Sequence, residues 1–210
     1  MEGLPQILIA VIPIYILMVV GGGLRRVRVL GPEMDDGLTK LVIHVLYPAL
    51  ILDKVLRAEL LRDPVVVVSA IGVGFTIIVI GLLVALLIGR LIGLRKGTGW
   101  RSFTLTAGVQ NYGYVAIPLL MVFFPQNETA VLGLLFTHSL GVELGVWTLG
   151  MFILRGKPFK SPREFVSGPM VAVVVGLLLV FSRIDVLVEN SKAAAFLFGT
   201  FLNLLHWLGL

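Results

Sequence analysis

Residues 110–118 read Gln-Asn-Tyr-Gly-Tyr-Val-Ala-Ile-Pro and lie in the middle of a long apolar segment. Pro118 has no backbone N–H, and its ring clashes with the carbonyl group four residues earlier, so a helix must kink or break just before it. Gly113 adds conformational freedom at the same point. The stretch therefore predicts a helix that is interrupted near its middle.

The composition of the whole chain is that of a membrane protein. Hydrophobic residues make up 58% of the 210 residues, and only 14% are charged. In soluble proteins hydrophobic residues average roughly 45–50% even with glycine included, and charged residues average roughly 25%. A chain this apolar could not cover its surface with polar groups in water. We therefore expect the lipid bilayer to be its solvent and the cell membrane to be its location.

A helix needs about 20 largely apolar residues to span a bilayer. The segments that meet or approach this length are residues 3–24, 38–56, 64–89, 102–124, 129–154, 165–182 and 193–210. The second has the shortest uncharged run, so we expect Lys40 and Lys54 to reach the interfaces by snorkelling. The sequence predicts an all-α, multi-pass membrane protein of about seven transmembrane helices without a soluble domain.

Basic residues are distributed unevenly between the two sides of the predicted membrane domain. With the N-terminus outside, the inner loops contain Arg25, Arg26, Arg28, Lys40, Arg90, Arg95, Lys96, Arg101, Arg155, Lys157, Lys160 and Arg163. The outer side contains Lys54, Arg57, Arg62, Arg183 and Lys192. This bias predicts an outside N-terminus. The same clustering accounts for the net charge of +5 without a nucleic-acid partner.

The polar residues beside the predicted break allow two interpretations. Bare backbone groups cost several kcal/mol each in hydrocarbon, so a break persists only against protein or a water-filled cavity. Gln110 and Asn111 add polar side chains at the same depth. The break is either a proline kink whose amides bond to a neighbouring helix, or a binding site. In the second case, the half-helix that begins near Pro118 would offer an anion its free N–H groups and positive dipole end.

Glu143 and His138 are the candidates for proton coupling. Glu143 lies near the centre of the fifth predicted span, where a carboxylate costs about 2.5–3.5 kcal/mol on insertion scales. It is either functional or a buried carboxyl group bonded to a backbone carbonyl. His138 is either a proton relay or an ordinary polar contact. The two residues are five positions apart, about 140° around a helix, so they do not form a two-residue metal clasp.

Motifs of catalysis and of cofactor binding are missing from the sequence. It contains no GxSxG, HExxH, P-loop or dinucleotide-binding pattern, each of which carries a specific chemistry. It also contains no cysteine. We therefore expect a protein that is not an enzyme and that uses neither a metal nor another cofactor.

Several motifs resemble one transporter family. The segment 13–50 contains Gly-Gly-Gly-Leu-Arg-Arg, Gly-Leu-Thr-Lys-Leu-Val and Tyr-Pro-Ala-Leu, which resemble the opening of the auxin efflux carrier family. Residues 111–118 resemble the Asn-x-Gly-x-x-x-x-Pro signature in the fourth helix of that family. The resemblance extends over nearly the whole chain and includes a more distant likeness to bile-acid/sodium symporters.

The resemblance implies a fold and an activity. Members have ten helices in two inverted five-helix repeats and move organic anions such as auxin or dicarboxylates. Their fourth and ninth helices break at prolines and cross at the substrate. By this match residues 1–154 form the first repeat and residues 155–210 begin the second. The substrate-binding residues would be Asn111, Gln110, Gly113, Pro118 and Tyr114, and the coupling ion would be a proton or sodium.

The resemblance also implies an incomplete transporter, because the sequence ends within the seventh helix. We expect either a truncated permease or a protein that assembles as a homo-oligomer or with a second chain. The leading function is secondary transport of a small organic anion by alternating access. The alternative is a non-transporting membrane interaction module, or a degenerate transporter fragment. Substrate-dependent flux distinguishes the two.

The predicted topology can be tested with single cysteines in this naturally cysteine-free chain. A cysteine in the 155–163 loop should react with an impermeant thiol reagent only when the inner membrane face is exposed, because the basic loops stay inside. A cysteine at Gln126, on the predicted outer side, is the control and should react in intact cells. Labelling of the 155–163 loop from outside would contradict the orientation.

Overall fold

A computed structural model describes residues 3–95, 97, 99–111, 113, 115–156, 167–183 and 192–209. In these ranges the chain forms helices joined by turns. The helices are α1 Gly3–Arg26, α2 Pro32–Leu41, α3 Tyr47–Arg57, α4 Pro64–Leu91, α5 Trp100–Gly108, α6 Ala116–Phe123, α7 Glu128–Gly145, α8 Met151–Arg155, α9 Gly168–Phe181 and α10 Lys192–Gly209.

Three helical stretches are long and apolar enough to cross a membrane. They are Ile7–Arg26, Pro64–Leu91 and Glu128–Arg155, and they coincide with the first, third and fifth predicted spans. The apolar helices Gly168–Phe181 and Phe196–Gly209 are shorter. The prediction of an all-helical membrane protein is confirmed for the described residues. The count of seven spans and the outside N-terminus stay predictions.

Two π-helical turns interrupt otherwise continuous helices. The turn Val42–Leu46 joins α2 to α3, and the turn Val146–Gly150 joins α7 to α8. A π turn inserts an extra residue into the helix and changes the direction in which the following side chains point. Nothing in the sequence analysis predicts either turn.

The second predicted span lies within α2, the π turn and α3. Its two lysines differ in exposure and in ion-pair partner. Lys40 is exposed and pairs with Asp36 at 2.6 Å. Lys54 is only 6% exposed, and its Nζ lies 2.8 Å from Oε1 of Glu128 at the start of α7. Lys54 therefore forms an ion pair that is largely buried between α3 and α7, and its predicted snorkelling to the interface stays a prediction.

The hydrophobic core lies where α7 packs between two groups of helices. On one side Leu132 and Phe136 of α7 form a buried cluster with Ile51 and Val55 of α3 and Val173 of α9. On the other side, Val142 of α7 packs against Ile78 and Leu82 of α4. In the described part of the chain, α7 is thus the helix shared by the α3–α9–α10 group and the α4–α5 group.

Glycines allow α4 and α7 to approach closely. A Cβ atom added at Gly74 would overlap the backbone carbonyl oxygen of His138, and one added at Gly141 would overlap that of Ile71. Small residues let membrane helices pack backbone against backbone. This contact fixes the position of α7 against α4, and with it the position of Glu143.

The close contact predicts different effects for two neighbouring glycines of α4. Gly74→Ala should destabilise the protein by about 1–3 kcal/mol, because the new methyl group forces the two helices apart. Gly72→Ala is the matched control, since no atom of the described part of the chain lies within 4 Å of its added Cβ. Thermal unfolding in detergent compares the two variants. Equal stability of the two would contradict the proposed packing.

Candidate functional site

The predicted fourth span is interrupted where the sequence predicts a break. Helix α5 ends at Gly108, Val109 is extended with φ −100° and ψ 114°, and α6 begins at Ala116. Pro118 lies in the first turn of α6, where its missing N–H would have no intrahelical partner in any case. The proline thus begins a new half-helix after the break.

Asn111 stabilises the conformation of the break. Its Oδ1 accepts a hydrogen bond from the backbone N–H of Gly113 at 3.3 Å. The carbonyl oxygen of Gly113 in turn accepts the N–H of Ile117 at 2.9 Å. Since the side-chain oxygen is engaged, the two N–H donors of the Asn111 amide are the part that a ligand would contact.

A cavity of about 430 Å³ lies beside the break. Four segments form its walls: the π turn before α3 with the first residue of α3, the break, the end of α7 with its π turn, and the start of α9. The lining residues are Ile43, Tyr47, Val109, Asn111, Gly113, Glu143, Val146, Trp147, Ser167 and Pro169. This volume lies within the roughly 300–1,000 Å³ of small-molecule sites.

Ser167 connects the carboxyl group of α7 to the beginning of α9. Its Oγ donates a hydrogen bond to Oε2 of Glu143 at 2.7 Å and accepts the backbone N–H of Met170 at 3.1 Å. The second bond makes Ser167 the N-cap of α9. A helix N-terminus carries partial positive charge. The arrangement therefore places the Glu143 carboxyl group beside a favourable dipole end without a basic side chain.

The described lining residues combine one carboxyl group with neutral polar groups. Glu143 is the only one of them with a formal charge, and Asn111, Tyr47, Trp147 and Ser167 supply polar atoms. Helix α9 begins at the cavity, and α6 begins three residues after Gly113. A carboxyl group, amide donors and helix N-termini can together hold a small polar solute and a neutralising cation.

The structure brings together only some of the predicted site residues. Asn111, Gly113 and Glu143 line the same cavity. Gln110 is exposed and is not part of its lining, and Pro118 contributes by starting α6. Tyr114 lies outside the described residues.

His138 lies on a different face of α7 from Glu143. It lines a largely apolar cavity of about 570 Å³ between α4, α6 and α7, together with Ser69, Val73 and Leu120. Its Nδ1 is buried, and no hydrogen-bond partner for it is found among the described residues. Within the described ranges, the metal-ligating residue types do not cluster in groups of three or more.

Sequence reasoning missed Ser167 and the two π turns. A serine followed by Gly168 and Pro169 before an apolar run is the pattern of a helix N-cap with proline in the first turn, so the capping role of Ser167 could have been recognised. Its bond to Glu143 could not, because the two residues are 24 positions apart. The π turns have no sequence signal of comparable strength.

A buried ion network lies at the other end of α7. Asp53, with 2% of its side chain exposed, accepts a bond from Nε of Arg57 at 2.7 Å and lies 3.3 Å from Nδ1 of His206. The adjacent Lys54 pairs with Glu128. The network connects α3, α7 and α10 across sequence separations of 74 and 153 residues, which no local pattern reveals.

Helices long enough to span a membrane, an interrupted helix and a polar cavity at the interruption also occur in many secondary transporters. The family model described as membrane transport protein matches residues 6–166, well over half of the chain. The chain therefore belongs to this family of membrane transport proteins, in agreement with its motifs of the auxin efflux carrier family. Neither the search of curated proteins nor that of solved structures finds a match.

The two bonds of Ser167 predict that this N-cap serine stabilises the protein more than Ser182, the C-cap residue of α9. Ser167→Ala should cost about 1 kcal/mol for the lost cap and about 1–3 kcal/mol for the unpaired carboxyl group. Ser182→Ala, at the exposed end of α9, is the control. Thermal unfolding measures the stability of both variants. A smaller loss of stability from Ser167→Ala in a Glu143→Gln background would show that the two side chains interact. Equal losses for the two serine variants would contradict the assignment.

Proposed function

We propose that the protein is a permease that moves a small organic anion across the cell membrane by alternating access, and that the anion binds in the cavity at the break. The observation that carries the proposal is the interruption between Gly108 and Ala116, which lies beside a polar cavity. A broken helix within a membrane survives only where its backbone faces protein or water. Such breaks form the substrate sites of many secondary transporters.

The chemistry of the cavity favours an anion that binds together with a cation. The N–H donors of Asn111 and the N-terminal turns of α6 and α9 provide positive potential for a carboxylate. The carboxyl group of Glu143 lies in the same cavity of about 430 Å³. Two negative charges this close repel each other strongly. A coupling ion on Glu143, a proton or sodium, removes the repulsion, and the bond from Ser167 keeps the carboxyl group oriented.

Alternating access requires two groups of helices that can move against each other. The α3–α9–α10 group and the α4–α5–α7 group meet along one side of α7. One end of this contact is closed by the Lys54–Glu128 ion pair. The cavity lies toward the other end of α7. We propose that transport opens the closed end and closes the cavity side.

The full proposal includes the topology and the remaining site residues. We propose that the protein has about seven transmembrane helices, an outside N-terminus and the start of an inverted second repeat after residue 154. Gln110, Tyr114 and Pro118 belong to the substrate region together with Asn111 and Gly113. We favour Glu143 over His138 as the coupling group, because Glu143 lines the cavity at the break and His138 lines another.

Two substitutions of Asn111 test the site. Asn111→Asp retains an oxygen acceptor for the Gly113 N–H and therefore the turn, but it removes the donors and adds negative charge. The loss of a hydrogen bond to a charged ligand costs about 1.5–3 kcal/mol, so anion affinity should fall roughly tenfold to a hundredfold. Binding of a panel of radiolabelled mono- and dicarboxylates to the reconstituted protein measures the effect. Asn111→Ala should lose affinity and also destabilise the break.

The matched control is Asn127→Ala, which changes an exposed asparagine just before α7. It should bind carboxylates as the parent protein does. Unchanged affinity in Asn111→Asp would contradict the site. Binding without flux in proteoliposomes would favour the alternative of a non-transporting membrane module.

A further inference from the structure

A small open cavity lies where the end of α4 meets the start of α5, and the proposed transport mechanism does not use it. Its volume is about 220 Å³, and it is lined by Leu86, Gly89, Arg90, Leu94 and Trp100. Gly93 and Gly99 take the left-handed conformation with φ of 81° and 82°, which glycine adopts without steric cost. These glycines turn the chain so that Trp100, at the start of α5, lies against the end of α4.

The surroundings of this cavity are positively charged. Arg90 lines it, is exposed and takes part in none of the ion pairs found among the described residues. The guanidinium group of Arg101 lies 5.9 Å from the centroid of the Trp100 ring. The described lining contains no acidic side chain. The carbonyl groups of Gly89 and Arg90 accept hydrogen bonds from the backbone N–H groups of Leu94 and Gly93, at 2.9 and 3.1 Å. These bonds reduce the negative potential that the two carbonyl groups expose to the cavity.

Trp100 has an unsatisfied hydrogen-bond donor. Its Nε1 is buried, and no partner for it is found in the described part of the chain. The indole N–H can only donate, and a buried donor without an acceptor costs about as much as a lost hydrogen bond. The N-cap residue of α5 is Gly99, which has no side chain to bond the first N–H groups of that helix. The described lining thus offers hydrogen-bond donors without a negatively charged acceptor for them.

We propose that this cavity binds a phosphate group and that the head group of an anionic phospholipid supplies it. Arg90 would pair with the phosphate, and the Trp100 N–H would donate to one of its oxygens. The cavity holds a head-group phosphate but not a whole lipid. The acyl chains would lie along Leu83, Leu87 and Leu91, which recur every four residues on α4 and are 59%, 58% and 77% exposed. Basic pockets between membrane helices are suited to anionic lipids.

The experiment measures thermal unfolding of the full chain in detergent with three additives. Dioleoyl-phosphatidylglycerol should stabilise the protein, and dioleoylglycerol, which has the same chains without the phosphate, should not. Trp100→Phe keeps the ring and removes only the N–H, and Arg90→Gln removes the charge. Each should weaken the apparent affinity for phosphatidylglycerol about tenfold to a hundredfold, because each loses a bond to a charged group.

Arg26→Gln is the control, since it removes an exposed arginine at the end of α1, away from the cavity. It should leave the affinity unchanged. Inorganic phosphate is the third additive and distinguishes the source of the group. If it stabilises the protein as well as the lipid and loses its effect in the same two variants, the phosphate site holds and the lipid source is wrong. An equal response of parent, Trp100→Phe and Arg90→Gln to phosphatidylglycerol would overturn the proposal.

Discussion

The hydrogen bonds of the backbone are the constraint on which the rest of the structure depends. In hydrocarbon each unpaired N–H or carbonyl group costs several kcal/mol, so a transmembrane helix can stop only where other groups replace its bonds. Between Gly108 and Ala116 these groups are the side chain of Asn111 and a cavity lined with polar atoms. The candidate site thus lies at the point where other polar groups replace the backbone hydrogen bonds of the interrupted helix.

Helix α7 relates the candidate site to the rest of the bundle. Near one end its Glu143 bonds to Ser167 at the start of α9, and at the other end its Glu128 bonds to Lys54 of α3. Between these two ends, glycines allow the backbones of α4 and α7 to pack directly against each other. Each polar bond crosses from α7 to the α3–α9 side, and both must change if the two helix groups move. In the proposed mechanism, α7 is therefore the helix that would couple substrate binding to movement.

The sequence predicted those features that depend on neighbouring residues. Pro118 and Gly113 act on the backbone beside them, so the break could be placed within a few residues. Long apolar runs likewise revealed α1, α4 and α7. His138 and Glu143 are about 140° apart on α7 by helix geometry, and they line different cavities. Contacts between distant segments could not be predicted, among them Ser167 with Glu143, Lys54 with Glu128 and Asp53 with His206, because folding alone brings these residues together.

The central claim is that the cavity beside the break is where the anion binds, and thiol protection tests it most directly. Val146 lines this cavity, whereas Gln126 lies near the other end of α7. With Val146→Cys and Gln126→Cys as the only thiols, the rate of modification by a small methanethiosulfonate reagent is measured with and without a bound carboxylate. The account predicts that the carboxylate slows modification at position 146 and not at position 126. Equal rates with and without the carboxylate at position 146, under conditions where it binds the protein, would contradict the account.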